Sequence, residues 1–410
     1  LKMMKQLFCF LLFLFTISLS AQTKNNYALK AGYMGGVILK HTTHLQQIVE
    51  KPTSGFELGI EWQTLGEQPW HSHLNYPRFG LGAVSLHLGN PDMLGNLYAL
   101  YPYLSFHIIQ TPSFVLNVKG GAGVSFLTKT FSNTATNPDV LTTGNAAIGS
   151  VMNVYFAGGL NAVFPLDFGF AFFADVHWNH ASNGSFYQPN SGLNMLHGSI
   201  GLNYAPYYKH AFQVRRKPVK ALSQTLSVEL VAAGGARELY YRDNKQFPTG
   251  SFVISAYKPL GNAFRLGLGV EGFYDGVYDG TTKFQRTYLT ENKLKNKLRL
   301  GLALRPELVF GRFTAGIHAG VYLFNPLKNL EPYDQAKSGV LNKPLFYKYN
   351  IEEEDGWLYT RAALQYRLVG DFFLSIGLKT HLHKAEFIEW GLGYKFNYKK
   401  RELSAISTSN

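Results

Sequence analysis

Apolar and polar side chains alternate with a period of two through most of the chain after its N-terminal segment. The clearest example runs from Lys297 to Arg305, where one face carries Leu298, Leu300, Leu302 and Leu304. Side chains two positions apart lie on the same face of a β-strand. No helix-sized stretch keeps the three- and four-residue apolar spacing of an amphipathic helix. We therefore predict an all-β fold.

The length and the ends of these segments favour a transmembrane antiparallel β-barrel. A membrane-crossing strand needs about ten residues, and most segments reach that length. Aromatic residues (31 Phe, 25 Tyr and 5 Trp in the chain) recur at segment ends, as the two interfaces of a bilayer require. Short connections alternate with long ones, which is typical of outer-membrane barrels. A soluble periplasmic sandwich remains the alternative, because alternation alone does not distinguish lipid from water.

The segments divide into two sets of eight, which indicates a duplication. Residues 22–206 hold the first set and residues 223–410 the second, in which the tenth segment is predicted over 251–258. Residues 207–222 are basic and do not alternate, so we interpret them as a linker. Two tandem eight-stranded barrels fit this pattern, and so does one barrel of about sixteen strands with an aqueous lumen. We favour the tandem barrels, because the linker is long and the first set looks complete.

Residues 1–21 have the organisation of a secretory signal peptide. Lys2 and Lys5 precede an apolar run over residues 7–19, and small residues follow, so we place cleavage near position 20 or 21. We therefore predict export and a location in the outer membrane. The net charge of +13 suggests an anionic neighbour but does not identify it. For an exported barrel we expect no nucleic-acid partner, and no feature implies a protein partner.

Three polar side chains share the outward face of the hairpin that the seventh and eighth segments form. His180 and Ser182 continue the row of Phe170 and Phe172, and Asn194 lies on the matching row of the returning strand. Polar groups that face lipid are costly and are therefore candidates for function. A serine nucleophile, a histidine base and a group that orients the histidine form the usual arrangement for acyl transfer. We place this hairpin at the outer leaflet, where an acylated lipid is the expected substrate.

The same hairpin resembles that of the PagL-like lipid A 3-O-deacylases. It reads His180-Ala-Ser182-Asn183-Gly184 and then Gln188-Pro-Asn190-Ser-Gly192-Leu-Asn194, where that family has His-x-Ser-Asn-Ala and then Asn-Pro-Gly-x-Glu. The family folds as an eight-stranded outer-membrane barrel and hydrolyses the ester-linked acyl chain at the 3-position of lipid A without a metal. The resemblance implies lipid A, within lipopolysaccharide of the outer leaflet, as the partner, and no metal or cofactor. It is specific over the hairpin and extends in outline over residues 23–206.

The resemblance also implies a role for each residue of the motif. Ser182 would be the nucleophile and His180 the base, while Asn183, supported by Gly184, would help to form the oxyanion site. Two positions depart from the family, since Asn194 replaces a glutamate and Gly184 replaces an alanine. An asparagine can hold the imidazole, as in Cys-His-Asn enzymes, but it cannot offset the imidazolium charge. We expect this exchange to affect the rate or the choice of substrate.

The remaining polar residues give weaker signals. In the second half, His381 and His383 are predicted to point inward into a polar network with Glu389, with a metal pair as the minor alternative. Two further pairs are interpreted as solvated loop residues, since each lacks a third metal ligand: His41/His44 and His71/His73. The alternative function is a non-catalytic outer-membrane barrel, either a pore or a surface-interaction protein.

Overall fold

Sixteen antiparallel β-strands make up most of the described part of the chain. The computed structural model describes residues 26–131, 145–206, 225–239, 245–261, 263–278, 294–325, 346, 356–381 and 384–397. The predicted signal peptide, the predicted linker and His383 lie outside these ranges. The strands of the first half are β1 (Tyr27–Ile38), β2 (Thr53–Gln63), β3 (Arg78–His87), β4 (Asn96–Gln110), β5 (Val115–Leu127), β6 (Met152–Pro165), β7 (Phe170–Ser182) and β8 (Leu193–Tyr204). Those of the second half are β9 (Ser227–Glu238), β10 (Gln246–Pro259), β11 (Phe264–Asp275), β12 (Leu298–Phe310), β13 (Phe313–Phe324), β14 (Leu358–Arg367), β15 (Phe372–His381) and β16 (Lys384–Asn397).

Each set of eight strands closes on itself as a separate barrel. β8 pairs with β1 from Leu29↔Tyr204 to Ile38↔Met195, and β16 pairs with β9 in the same antiparallel manner. Closure satisfies the backbone groups that an open sheet edge would expose to lipid. The predicted tandem barrels are therefore confirmed, and the alternatives of one sixteen-stranded barrel or a soluble sandwich are wrong.

One strand is longer than predicted. β10 begins at Gln246 rather than at residue 251, because its first five residues, 246–250, pair with 234–238 of β9. Pro248 lies within this extension and breaks the local strand signal, since proline offers no N–H to a ladder. Pairing with the neighbouring strand is thus what extends β10.

The polarity of both barrels is the inverse of that of a soluble protein. Outward-facing Leu268 and Ile317 are 60% and 71% exposed, while the charged side chains of Glu271 and Arg305 are almost completely buried in the interior. An apolar outer wall and a polar interior are the arrangement of a transmembrane barrel. Among the described residues, no helix is long and apolar enough to cross a bilayer.

The interior of the first barrel is filled by a charged network. Lys30 Nζ lies 2.6 Å from a carboxylate oxygen of Asp175 and 3.0 Å from one of Glu57. Lys119 Nζ lies 3.0 Å from the same Asp175 oxygen. Each buried charge therefore has an opposite partner, which offsets the cost of removing it from water.

The interior of the second barrel is filled in the same way. Arg265 pairs with Glu229 and, over 2.6 Å, with Glu307. Glu307 also lies 2.9 Å from His318 Nε2, and the neighbouring Arg305 Nε donates to the Tyr257 hydroxyl over 2.7 Å. Eight-stranded barrels leave an interior just wide enough for such side chains.

Because side chains fill both interiors, we expect the protein to form no steady channel. The measurement is single-channel conductance after reconstitution of the full chain into planar bilayers, with a porin reconstituted in parallel as the positive control. Large, long-lived conductance steps would contradict this prediction and would favour the pore alternative.

The described connections contain three short helices and one 3₁₀ turn. They are α1 (Thr43–Ile48), α2 (Pro69–His73), α3 (Leu294–Lys297) and the turn at Asp167–Gly169. The interpretation of the loop histidines as solvated is wrong for His71, which is fully buried in α2. Its Nδ1 accepts the Gly66 N–H over 3.3 Å, and burial lowers the pKa of His71 to about 4. His71 is therefore a neutral packing residue.

The two barrels contact each other at both rims. The Trp70 ring of α2 lies 6.3 Å from the Phe310 ring at the end of β12. At the opposite rim, the connection between β7 and β8 contacts β9, β10 and β16. Trp70 and Phe310 lie at connections that lead from an even-numbered strand to an odd-numbered one. The contacts at the opposite rim join connections that lead from an odd-numbered strand to an even-numbered one. The two barrels therefore stand side by side in the same orientation.

Candidate active site

The outward row of the β7–β8 hairpin carries the three predicted site residues. Trp178 on β7 and Leu196 on β8 are 43% and 45% exposed, and His180 and Asn194 follow them on the same faces. Ser182 is the last residue of β7, two positions beyond His180. His180 and Asn194 are half-buried on the predicted outer face, whereas Ser182, at the rim where β7 ends, is buried.

His180 and Asn194 form a direct cross-strand pair. They face each other in the β7–β8 register, and His180 Nδ1 lies 2.7 Å from Asn194 Oδ1. Because a carbonyl oxygen only accepts, Nδ1 carries the proton and donates it to this bond. The other ring nitrogen, Nε2, is then the basic one. Asn194 therefore holds the imidazole in the tautomer that a general base requires.

Aromatic and backbone contacts fix the plane of the His180 ring. The ring stacks on Trp178 at a centroid distance of 5.6 Å and an angle of 13°. On another side lies Gly192, where an added Cβ would come within 2.9 Å of His180 Cε1. Gly192 also has a φ of +74°, which favours glycine. The imidazole consequently has little freedom to turn away from its partner.

The β7–β8 loop holds the Ser182 hydroxyl. The side-chain amide of Asn190 donates to Ser182 Oγ over 3.0 Å, and the Gly184 N–H donates to it over 3.2 Å. Within the described residues, no hydrogen bond joins Ser182 to His180. The hairpin thus brings the two groups to one edge without a direct bond, and bonds between catalytic groups often tighten only when substrate binds.

The side chain of Asn183 is occupied within the loop. Its Nδ2 donates to Ser150 Oγ over 2.9 Å and to the Tyr187 carbonyl over 3.0 Å, and the residue is buried. Its backbone N–H donates to Asn190 Oδ1 over 3.2 Å. Asn183 and Gly184 therefore shape the segment after Ser182. Of the two, Gly184 directs a backbone N–H at the serine oxygen.

Two residues at the site had no predicted role. Asn190 belongs to the quoted motif, but only the structure places its amide against Ser182. His41, interpreted as a solvated loop residue, lies beside the site: its Nε2 is 3.1 Å from the Ser191 carbonyl and its Nδ1 is 3.4 Å from Asn194 Nδ2. The pairing of β1 with β8 is the only signal for this neighbour, because the two residues are distant in sequence.

Of the polar residues that the sequence singled out in the second half, those that the structure describes are buried. His381 is buried as predicted, and Glu389 pairs with Arg361 in the interior of the second barrel. Within the described ranges, no cluster of three or more His, Cys, Asp or Glu residues could hold a metal ion. The candidate site is therefore the group of hydrogen-bonded polar residues on the β7–β8 hairpin.

Comparisons with known proteins match the two barrels separately. Residues 54–203 match the family described as lipid A 3-O-deacylase (PagL), and residues 226–335 and 345–398 match the acyloxyacyl hydrolase C-terminal domain. No curated protein matches the chain.

Solved structures similar to the chain are also outer-membrane or designed transmembrane barrels. The crystal structure of the outer membrane enzyme PagL is 15% identical in sequence. The match covers 42% of this chain and 97% of the PagL chain, with a TM-score of 0.30. The N-terminal β-barrel domain of Pseudomonas aeruginosa OprF is 15% identical, with coverages of 44% and 98% and a TM-score of 0.24. A de novo designed transmembrane β-barrel is 13% identical, with coverages of 45% and 98% and a TM-score of 0.22.

Proposed function

The chain belongs to the family of PagL-like lipid A 3-O-deacylases and acyloxyacyl hydrolases, and on that premise we propose that it deacylates lipid A in the outer membrane. The reaction is hydrolysis of an ester-linked acyl chain. The observation that carries the proposal is the His180–Asn194 pair, with its 2.7 Å bond, on the outer wall next to the buried Ser182. An acyl chain embedded in the bilayer reaches this wall without leaving the hydrocarbon.

His180 and Ser182 share the proposed chemistry. His180 Nε2 takes the proton of the Ser182 hydroxyl while Oγ attacks the ester carbonyl carbon. The imidazolium then gives this proton to the leaving sugar oxygen, which leaves the acyl group on Ser182. A water molecule, deprotonated by His180, next attacks the acyl-enzyme, and the fatty acid departs as Ser182 regains its proton. Atoms and charges balance without any cofactor.

Donors near Ser182 would stabilise the negative oxygen of the tetrahedral intermediate. The Gly184 N–H donates to Ser182 Oγ over 3.2 Å. It therefore lies close to the place where the tetrahedral intermediate and its negative oxygen would form. Asn183 is proposed to support this site through the loop conformation that its side-chain bonds maintain. Asn194 keeps the proton on His180 Nδ1 throughout, although an amide does not neutralise the imidazolium.

The proposed boundaries follow from export and closure. Residues 1–21 would be removed as a signal peptide, 22–206 would form the barrel with the active site, and 207–222 would link it to the second barrel at 223–410. Lipopolysaccharide of the outer leaflet would be the partner.

The direct test is mass spectrometry of lipid A from cells that produce the wild-type protein, the Ser182→Ala variant or neither. We expect lipid A that lacks one ester-linked acyl chain only with the wild type. Ser85→Ala is the matched control, since Ser85 is an exposed serine on β3, away from the hairpin. Identical acyl patterns in all the strains would refute the proposed function.

A further inference from the structure

The second barrel contacts the loop that carries the proposed active site. The Gln188 N–H donates to Glu238 Oε2 over 2.7 Å, and the Glu238 N–H donates to the Ser185 carbonyl over 2.9 Å. The Ser185 hydroxyl donates to the Ala385 carbonyl over 2.7 Å, and Gln246 Nε2 donates to the Phe186 carbonyl over 3.1 Å. The loop between β7 and β8 is therefore bonded to the rims of β9, β10 and β16.

Apolar packing covers the start of the same loop. A Cβ added to Gly184 would collide with the Ile388 side chain and lie 3.4 Å from a methyl group of Leu378. Ile388 and Leu378 belong to the outer wall of the second barrel. The resembling motif has alanine at this position, and the contact with Ile388 explains why this chain has glycine. The φ of +61° at Gly184 adds a second reason.

The opposite side of the loop contacts the groups proposed to react. Asn190 donates to Ser182 Oγ, the Gly184 N–H donates to it as well, and Gly192 lies against the His180 ring. Gln188, which Glu238 holds, is two residues from Asn190. Any shift of this short segment away from the second barrel therefore moves the amide that positions Ser182.

The backbone of the loop needs such external support. Ser185 has a φ of +65°, a conformation that L residues other than glycine, asparagine and aspartate rarely adopt. Its carbonyl and its hydroxyl both bond to the second barrel. Glu238, which is buried, accepts a further hydrogen bond from the loop, donated by the Gln188 N–H.

We propose that the rim of the second barrel is a working part of the active site, and that Glu238 is a positioning residue that holds the loop of residues 183–192 around Ser182. The catalytic part of this inference rests on the proposed lipid A deacylation. The second barrel thereby acquires a function although the strand that corresponds to β7, β15, carries no His-x-Ser pair in its described residues.

The test compares Glu238→Ala, Glu238→Gln and the control Glu50→Ala in the full-length protein. Glu50 also accepts a hydrogen bond, from Asn90, but this bond lies away from the loop. Hydrogen exchange measured by mass spectrometry reports on residues 183–192, and initial rates with purified lipid A give kcat and KM. Heat-modifiable gel mobility verifies that each variant is folded.

For Glu238→Ala we expect exchange in the loop to rise and kcat to fall, each by about tenfold, with KM nearly unchanged. Glu238→Gln keeps an oxygen acceptor for Gln188 and should recover most of both losses, whereas Glu50→Ala should match the wild type. A folded Glu238→Ala variant with wild-type exchange and kcat overturns the inference. Unchanged exchange with a lower kcat overturns it too, because the loop would then not be held by Glu238.

Failure of the proposed function gives a different result. If the wild type releases no acyl chain, deacylation is refuted, and exchange alone decides whether the rim holds the loop. Faster exchange in Glu238→Ala then supports the contact, and equal exchange rejects it.

Discussion

Replacing His180 with alanine is expected to lower kcat for acyl-chain release from lipid A by about 10³-fold. Every proposed proton transfer passes through His180 Nε2, and Asn194 Oδ1 holds the ring by accepting a 2.7 Å hydrogen bond from Nδ1. Ser182→Ala should cost a similar factor, because it removes the nucleophile. The variant with both changes should be no slower than the slower single variant, since groups that act as a unit are not additive.

Initial rates with purified protein and lipid A in detergent, quantified by mass spectrometry of the released fatty acid, test this non-additivity. Ser85→Ala again serves as the control, and gel mobility confirms folding. Losses that multiply in the double variant would mean that His180 and Ser182 act separately, which contradicts the proposed mechanism.

Replacing Asp175 with alanine is expected to lower the free energy of unfolding of the first barrel by about 3–5 kcal/mol. Asp175 lies 2.6 Å from Lys30 Nζ and 3.0 Å from Lys119 Nζ in the barrel interior, and it is 3% exposed. Without it, Lys119 loses this partner and Lys30 keeps Glu57 at 3.0 Å. Buried ammonium groups that lack a carboxylate are costly, because neither water nor lipid compensates them.

Urea unfolding in detergent, followed by the loss of heat-modifiable mobility, measures this difference. Asp167→Ala is the matched control, since that carboxylate is exposed in the turn before β7. If the two variants unfold at the same urea concentration, the interior ion pairs do not stabilise the barrel as inferred.

The fold was predictable to a large extent because its signals are local. Alternation fixes which face each side chain takes, so the outward placement of His180 and Asn194 followed from counts along β7 and β8. The extension of β10 was not predictable, because Pro248 breaks the pattern and only pairing with β9 restores it. Burial of His71 was missed for a similar reason, since it depends on how α2 packs.

The sequence indicated which residues form the candidate site but not how they are connected. The motif indicated Ser182, His180 and Asn194, whereas the bond from Asn190 to Ser182 depends on the loop conformation. The approach of His41 to Asn194 requires the closing pair β1–β8. The contact of Glu238 with Gln188 joins two barrels, and no periodicity within either half reports such a contact.

The amide at position 194 has a consequence for how the candidate site responds to acid. A carboxylate in its place would lose its charge on protonation in acid, and its hydrogen bond to the ring would weaken. Asparagine has no proton to gain, so its 2.7 Å bond to Nδ1 persists as the medium acidifies. In acid, protonation of the imidazole itself would stop the proposed reaction, while the ring stays aligned, so activity would return at neutral pH.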